Sequence, residues 1–263
     1  MITGLYAWQI EPFWLEFVKV KMPIKNLPDD LVGKTLMQIS DMHVGKKFDH
    51  QFIIKSLKKA KAYNPDFVVY TGDYVSTHKG KVLYNVLDEV FGHLVKGKIA
   101  TLGILGNHDY GINWAEADVA DQITSKLSNN GVRVLRNETT AISGLHFIGF
   151  DDYWGLHFNP QQAMQNFDPT NATIVLCHNP DVCDEDVWGQ YNSWILSGHT
   201  HGGQVKPPFL PPFILPVKNR KYSAGQFSLS NDRTLYINRA LGHLWQVRLN
   251  VRPEITLFEL QKG

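Results

Sequence analysis

Five short polar runs recur along this 263-residue chain, and each directly follows an apolar stretch that reads as a strand. They are Asp41-Met42-His43, Gly72-Asp73, Gly106-Asn107-His108-Asp109, Cys177-His178-Asn179 and Gly198-His199-Thr200-His201. A run in that position closes the C-terminal end of a strand, and in open α/β sheets that edge is where ligands bind. The runs hold three Asp, two Asn and five His, from which two Asp, one Asn and four or five His can be drawn as ligands. Imidazole and carboxylate donors suit Mn, Fe and Zn, so this is the ligand inventory of a two-metal hydrolytic centre in which an activated water attacks phosphorus. Asp41 and His43 stand two apart, as do His199 and His201, and in extended backbone such pairs share a face and can reach one ion. Glycines at 72, 106 and 198 are expected to turn the chain sharply at the strand ends. Asn107 offers a neutral carbonyl oxygen.

The pattern of apolar runs predicts strands over Thr35–Ile39, Phe67–Tyr70, Ala100–Leu105, Val132–Leu135, His146–Phe150, Ala172–Cys177, Ser193–Leu196, Thr234–Ile237 and Ile255–Leu260. Helical periodicity lies between several of them, over Gln51–Tyr63, Lys81–Val95 and Trp114–Asn130. Strands alternate with helices in the first half and crowd the second, which indicates two stacked sheets with helices outside in one domain, residues 1–263. Residues 206–217 carry five prolines, which forbid regular structure there.

Composition narrows the function classes. At 43% hydrophobic and 19% charged, with a net charge of +1, the chain is neither disordered nor a general polyanion binder. A nuclease should carry a basic channel, and this balance gives no sign of one. Two cysteines, Cys177 and Cys183, make no disulfide framework, and Cys177 at the end of an apolar run reads as a small buried side chain. Glu11, Glu16 and Lys19 interrupt the aromatic start, which is neither signal peptide nor membrane span. The expected location is cytoplasmic, unless an anchor lies upstream of Met1. Histidines 50, 78, 93, 146, 157 and 243 read as surface or core residues. Tyr74, Tyr110, Trp114, Tyr153 and Trp154 fall near strand ends, where they either stack on a base or sugar or pack the core.

The order and spacing of the five runs resemble the calcineurin-like metallophosphoesterases, from about Leu36 to His201. The resemblance implies a four-layer α-β-β-α sandwich of two mixed β-sheets flanked by helices. Its motif core would span 36–203, and C-terminal strands within 223–263 would complete the second sheet. It implies one divalent ion (Mn, Fe or Zn) held by Asp41, His43, Asp73 and His201, and a second held by Asp73, Asn107, His178 and His199, with Asp73 bridging. His108 would be the non-ligand histidine beside the phosphate, sharing substrate contact with Asn107, and protonated His108 would assist departure of the leaving oxygen. Asp109 would either orient His108 or cap the following turn. A hydroxide shared by the two ions would attack in line.

Protein phosphatases of this superfamily continue Gly-Asp-x-Val-Asp-Arg-Gly and use Gly-Asn-His-Glu, and this chain has neither. Gly198–Val205 (GHTHGGQV), Ile10-Glu11-Pro12, Asn238–Gly242 (NRALG) and Pro253-Glu254-Ile255 resemble instead the YkuE/YaeI-like bacterial phosphodiesterase branch. Members of that branch are associated with membranes or the cell envelope, and some hydrolyse the pyrophosphate of UDP-2,3-diacylglucosamine. The implied substrate is thus a small or lipid-linked phosphoester. The apolar residues Phe209, Leu210, Phe213, Ile214 and Leu215, rimmed by Lys206, Lys218, Arg220 and Lys221, would either dip into a bilayer surface and hold acyl chains or pack on the core. The competing readings are a nuclease or cyclic-nucleotide phosphodiesterase and, from another class, a non-catalytic scaffold of the same fold.

Overall fold

A computed structural model describes residues 2–46, 49–77 and 81–263. His78 lies outside the described residues. Twelve strands form two mixed six-stranded sheets. The first runs in the order β1 (Glu16–Ile24), β12 (Glu254–Lys262), β2 (Thr35–Ile39), β3 (Phe67–Thr71), β4 (Ala100–Ile104), β5 (Arg133–Val134). The second runs β10 (Gly225–Ser228), β11 (Thr234–Ile237), β9 (Trp194–Ser197), β8 (Ala172–Leu176), β7 (Leu145–Gly149), β6 (Glu138–Ile142). Strands β2 to β5 are parallel, and so are β7, β8, β9 and β11.

The layers follow from which faces are apolar. Leu36, Phe67, Val69, Leu102 and Ile104 of the first sheet meet Phe147, Ile174, Leu176, Trp194 and Leu196 of the second in one buried cluster. The opposite face of the first sheet (Met37, Ile39, Val68, Tyr70) packs under α2 (His50–Lys61), α3 (Tyr84–Phe91) and α4 (Ala117–Asn129). Central strands covered on both faces need continuous apolar runs, and β3 is buried at every position. Helix α2 starts where the Asp49 side chain accepts from the Gln51 N–H at 2.9 Å, and Lys58, Lys59 and Lys61 complement its C-terminal dipole. The outer cover of the second sheet is thinner: α5 (Pro160–Met164) with Val182, Trp188 and Tyr191.

All nine expected strands are present. Three more are not among the expectations. Strand β1 alternates exposed Lys19 and Lys21 with half-buried residues, as an edge strand does, so its apolar signal is diluted. Strand β10 is half exposed, and β6 is a short hairpin partner of β7. The C-terminal strands do not all complete the second sheet. Strands β10 and β11 do, but β12 inserts into the first, parallel to β1 and antiparallel to β2. Its Ile255 and Leu257 pack with the helices while Phe258 and Leu260 pack between the sheets, so it is apolar on both faces and takes an interior place. The expected helix over 81–95 is shorter, Tyr84–Phe91, and stops at Gly92. Helix α1 (Ile2–Gln9) also precedes β1.

Candidate metal centre

The C-terminal ends of β2, β3 and β4 in one sheet and of β8 and β9 in the other meet at a common edge. There Asp41, His43 and His201 bring ligand atoms within 4.8 Å of one another, as do Asp73, His178 and His199, and a third group joins His43, Asp73 and His108. The Nε2 atoms of His43 and His201 are 2.8 Å apart, and His201 Nε2 is 3.2 Å from Asp41 Oδ1. Asp73 Oδ2 lies between the groups, 3.6 Å from His43 Nε2 and 3.2 Å from His178 Nε2. His199 Nδ1 is 3.2 Å from His178 Nε2.

The backbone that achieves this is not extended. Asp41, His43, Asp73, His199 and His201 all have φ between 48° and 70°, in the left-handed region. Such residues cost on the order of 1 kcal/mol each, and their clustering marks a site where the surroundings enforce geometry. The shared-face argument for residues two apart therefore does not describe these loops. Indeed His199 and His201 part company, one joining His178 and the other Asp41. Of the three expected turn glycines only Gly72 has positive φ, at 91°. Gly198 is required for a different reason: a Cβ there would sit 2.0 Å from Ser40 Oγ and 2.2 Å from Asp41 Oδ2. Gly106 likewise leaves room for Asp73 and His178.

Hydrogen bonds from the outer nitrogens fix the rings of His43, His178 and His199, whereas Nδ1 of His201 is buried without a partner. His178 Nδ1 donates to the Thr71 carbonyl at 2.7 Å, and His199 Nε2 to the Pro216 carbonyl at 2.8 Å. His43 Nδ1 meets Ser76 Oγ at 3.0 Å. These partners leave lone pairs of His43 Nε2, His178 Nε2 and His199 Nδ1 turned into the centre, the arrangement that metal-ligating histidines use. Asp41 is oriented through a chain in which Gln38 donates to Thr71 Oγ1, Thr71 to Ser40, and Ser40 to Asp41. Asn107 Oδ1 is buried with no hydrogen-bond partner. An orphaned buried carbonyl beside converging imidazoles and carboxylates is what a divalent cation would satisfy, so the donor set fits two ions of the Mn, Fe or Zn type.

Electrostatics support the same reading. Burial opposes the Asp41 anion, yet the surrounding His201, His43 and His178 hold its carboxyl well below the usual range. Asp73, buried too, is held low by His178 and His108. Burial and the neighbouring His178 push His199 down to about 3, so its ring is neutral. Burial alone would lower His178, but Asp73 and Asp41 raise it well above its ordinary value, so a cation bound there would displace a proton.

His108 is the one partly exposed member, its ring edge-on to His43 at 5.0 Å. Burial lowers its pKa, with His43 and His178 adding to the effect against Asp73. Burial thus works against the imidazolium that the resemblance implies, and Asp73 works for it. Asp109 neither orients His108 nor serves only its own turn. Its Oδ2 accepts from the backbone N–H groups of Asp73 and Gly106, both at 2.9 Å, and its Oδ1 from Tyr74 at 2.8 Å and Val75 at 3.3 Å. Burial and the Asp73 charge push this carboxyl up, while four donors with no acceptor demand the anion. Asp109 is thus a strut between the loops that carry Asp73 and Asn107.

Sequence reasoning missed a sixth run. Strand β7 ends in Gly149-Phe150-Asp151-Asp152, the same signature of apolar strand and carboxylate. Asp152 is buried, with Oδ1 unpartnered and Oδ2 accepting from the Trp154 N–H at 2.9 Å. Burial first, then Asp73 against an opposing His178, pushes its carboxyl up to about 7. No local signal marked Arg248 either. Fully buried, it donates to the carbonyls of Arg239, Ala240, Gly242 and Val251. It thereby braces the 238–242 loop, whose Leu241 and Gly242 N–H groups donate to the carbonyls of Ser40 and Asp41. Glu11 and Glu254, in the other two terminal motifs, accept from Val251 N–H and Arg239, so these motifs support the Asp41 loop from behind.

The remaining expectations resolve plainly. Cys177 is a buried side chain beside Ser197. His243 is buried, His157 is exposed, and His50, His93 and His146 are partly exposed. Tyr74 and Tyr110 are core residues, whereas Trp154 meets the His199 ring edge to face at 4.5 Å and stacks on Trp114 at 4.7 Å. Residues 206–217 form no helix or strand. Leu215 and Pro212 pack inward, while Phe209 and Phe213 are 106% and 65% exposed. A cavity of about 700 Å³ opens beside the centre, lined by His199, His201, Val205, Phe213, Ile214 and Trp245 among others. No helix among the described residues is long and apolar enough to cross a membrane.

Comparison with known proteins agrees with the geometry. A family model described as calcineurin-like phosphoesterase matches residues 34–203. Phosphodiesterase YaeI of Escherichia coli (strain K12) is 28% identical over 262 residues, covering 97% of this chain and 92% of the relative. The UDP-2,3-diacylglucosamine pyrophosphatase LpxG of Chlamydia trachomatis serovar D is 27% identical over 313 residues, covering 98% and 92%. The metallophosphoesterase YkuE of Bacillus subtilis (strain 168), described as uncharacterized, is 28% identical over 272 residues, covering 97% and 89%. The family model spans well over half of the sequence, so this chain belongs to the calcineurin-like phosphoesterases, metal-dependent hydrolases of phosphoesters.

Proposed function

We propose that the chain hydrolyses a phosphodiester or pyrophosphate bond in a lipid-linked substrate. Asp41, His43, Asp73 and His201 would hold one divalent cation, and Asp73, Asn107, His178 and His199 a second, with Asp73 shared. When bound, such a pair supplies Lewis acidity that polarises phosphoryl oxygens and brings the pKa of water towards neutrality. The protein supplies the rest. The outer hydrogen bonds of His43, His178 and His199 keep the ligand nitrogens aimed without reorganisation. His108, partly exposed and anchored by its backbone N–H to Asp73 Oδ1 at 2.9 Å, is placed to donate a ring N–H to a phosphoryl or leaving oxygen. Asp109 keeps the Asp73 and Asn107 loops in register.

The observation that carries the lipid-linked part is the apolar cavity, because His199 and His201 form part of its wall. An acyl chain lying against Val205, Ile214 and Trp245 would end at the metal ligands. The pyrophosphatase activity in the printed name of the LpxG relative supports this reading. The exposed Phe209 and Phe213, rimmed by Lys218, Arg220 and Lys221, would let the mouth of that cavity rest on a membrane surface. The test compares Mn-loaded protein on UDP-2,3-diacylglucosamine and on UDP-N-acetylglucosamine, which lacks the long chains. A preference on the order of 100-fold in kcat/KM for the diacyl compound is expected, and Asp73→Asn should lose turnover of both and of bis-p-nitrophenyl phosphate. Equal rates on the two nucleotide sugars would remove the lipid-linked reading, and Asp73→Asn turnover equal to wild type would remove the metal assignment.

A further inference from the structure

His199 has two different walls. On one side lies the apolar cavity; on the other stands Trp154, whose ring meets the imidazole at 4.5 Å and 86°. Trp114 then stacks on Trp154 at 4.7 Å and 34° and is 37% exposed. The three rings form a column leading from the metal ligands to solvent.

Two observations set this pair apart from ordinary loop packing. Trp114 has φ of 59°, directly after Asn113 at 52°. A bulky residue in the left-handed region is a true outlier, and strain of that kind persists only where surrounding structure enforces it. The enforcing contacts are visible: Glu116 Oε2 accepts from the Ile112 N–H at 2.7 Å, and the Glu116 N–H donates to the Tyr110 carbonyl at 2.8 Å. The loop so closed follows immediately on the turn that carries Asn107 and His108. The opposite loop is held as firmly, since buried Asp152 accepts from the Trp154 N–H at 2.9 Å and its carbonyl accepts from the Gly155 N–H at 3.1 Å. Trp114 is therefore held by the loop after β4, which also carries Asn107, and Trp154 by the loop after β7, the strand beside β8.

We infer that Trp154 and Trp114 are a binding platform for a planar heteroaromatic ring of the substrate, a nucleobase one sugar removed from the phosphorus. Every base presents a π-face, so indole stacking accepts it with little sequence preference. The inference rests on the phosphoesterase reading of the centre but not on the lipid-linked part of it. It gives the substrate two recognised ends, an apolar one in the cavity and a ring on the tryptophans, with the scissile bond between them at His199.

The test uses two chromogenic diesters that share a leaving group: the p-nitrophenyl ester of thymidine 5′-phosphate and ethyl p-nitrophenyl phosphate. The readout is the ratio of their kcat/KM values in Mn-loaded protein. Trp154→Leu and Trp114→Leu should each lower that ratio roughly tenfold, mainly through KM of the nucleoside ester, and Trp154→Phe should restore most of it. A ratio that moves less than twofold in both Leu variants overturns the platform. Equilibrium dialysis of labelled thymidine 5′-monophosphate supplies a readout free of turnover. If the wild type cleaves neither ester, the phosphoesterase reading has failed, and dialysis decides the platform alone. Nucleotide retained by wild type and lost in Trp114→Leu upholds it; absent binding, or equal binding by both proteins, overturns it.

Discussion

Replacing Asp109 by Asn separates a strut from a catalyst. The carboxylate receives four backbone N–H groups, two on each oxygen, at 2.8 to 3.3 Å. An amide of the same shape keeps one accepting oxygen and turns an NH₂ toward the other two donors. Two buried N–H groups thus lose their acceptor and face a donor instead. Each orphaned group costs about 1–3 kcal/mol, so the variant should lose about 4 kcal/mol of stability. In a chain of this size that lowers the thermal midpoint by on the order of 10 °C. Because the loops released carry Asp73 and Asn107, metal affinity should fall as well. Urea unfolding of metal-free wild type and Asp109→Asn gives the first quantity, and Mn titration by calorimetry the second. If the variant unfolds with wild-type stability and binds Mn equally well, yet its kcat has collapsed, Asp109 acts on the substrate and the strut account is wrong.

Asp152 predicts a pH signature. Its folded pKa, about 7 against an ordinary 3.8, means the folded state binds the extra proton between those values. Stability contributed by this residue should therefore fall as pH rises from 4 to 7, by at most about 4 kcal/mol, in metal-free protein. The difference in urea midpoint between wild type and Asp152→Asn, followed across that range, should change accordingly; a difference independent of pH would contradict the assignment. Replacing Phe209 and Phe213 by Ser should abolish sedimentation with anionic liposomes while leaving hydrolysis of a small soluble diester. Unchanged sedimentation would show that the loop does not touch bilayers.

How much of this was legible in the sequence depends on where the information is local. A parallel strand buried on both faces, such as Phe67–Thr71, announces itself by composition, and a ligand run at its end is read from the same few residues. The five runs lie together at one edge, with ligand atoms of Asp41, Asp73, His108, His178 and His201 in adjoining groups. Strand β1 hid because an edge strand mixes lysines into its pattern, and β12 was assigned to the wrong sheet because neighbours in a sheet are chosen by long-range packing. The same limit applied at the site. Asp-x-His spacing pointed to Asp41 and His43 but implied extended backbone, where the chain in fact turns left-handed at both, as it does at Asp73, His199 and His201. For Asp109 the choice between orienting His108 and capping its own turn missed the strut, since three of its four partners lie on another loop. Arg248 had no readable signal, because its acceptors are main-chain carbonyls. Asp152 did have one, the carboxylate closing an apolar strand, and the pair Asp151-Asp152 was passed over because it lacks a histidine.

The most direct test of the metal pair is anomalous diffraction from crystals of the Mn-loaded protein, recorded on either side of the manganese edge. Two peaks should flank the Asp73 carboxylate, one against Asp41, His43 and His201 and the other against Asn107, His178 and His199. A lone peak, or density remote from Asp73, would contradict the shared-carboxylate centre on which the proposed chemistry stands.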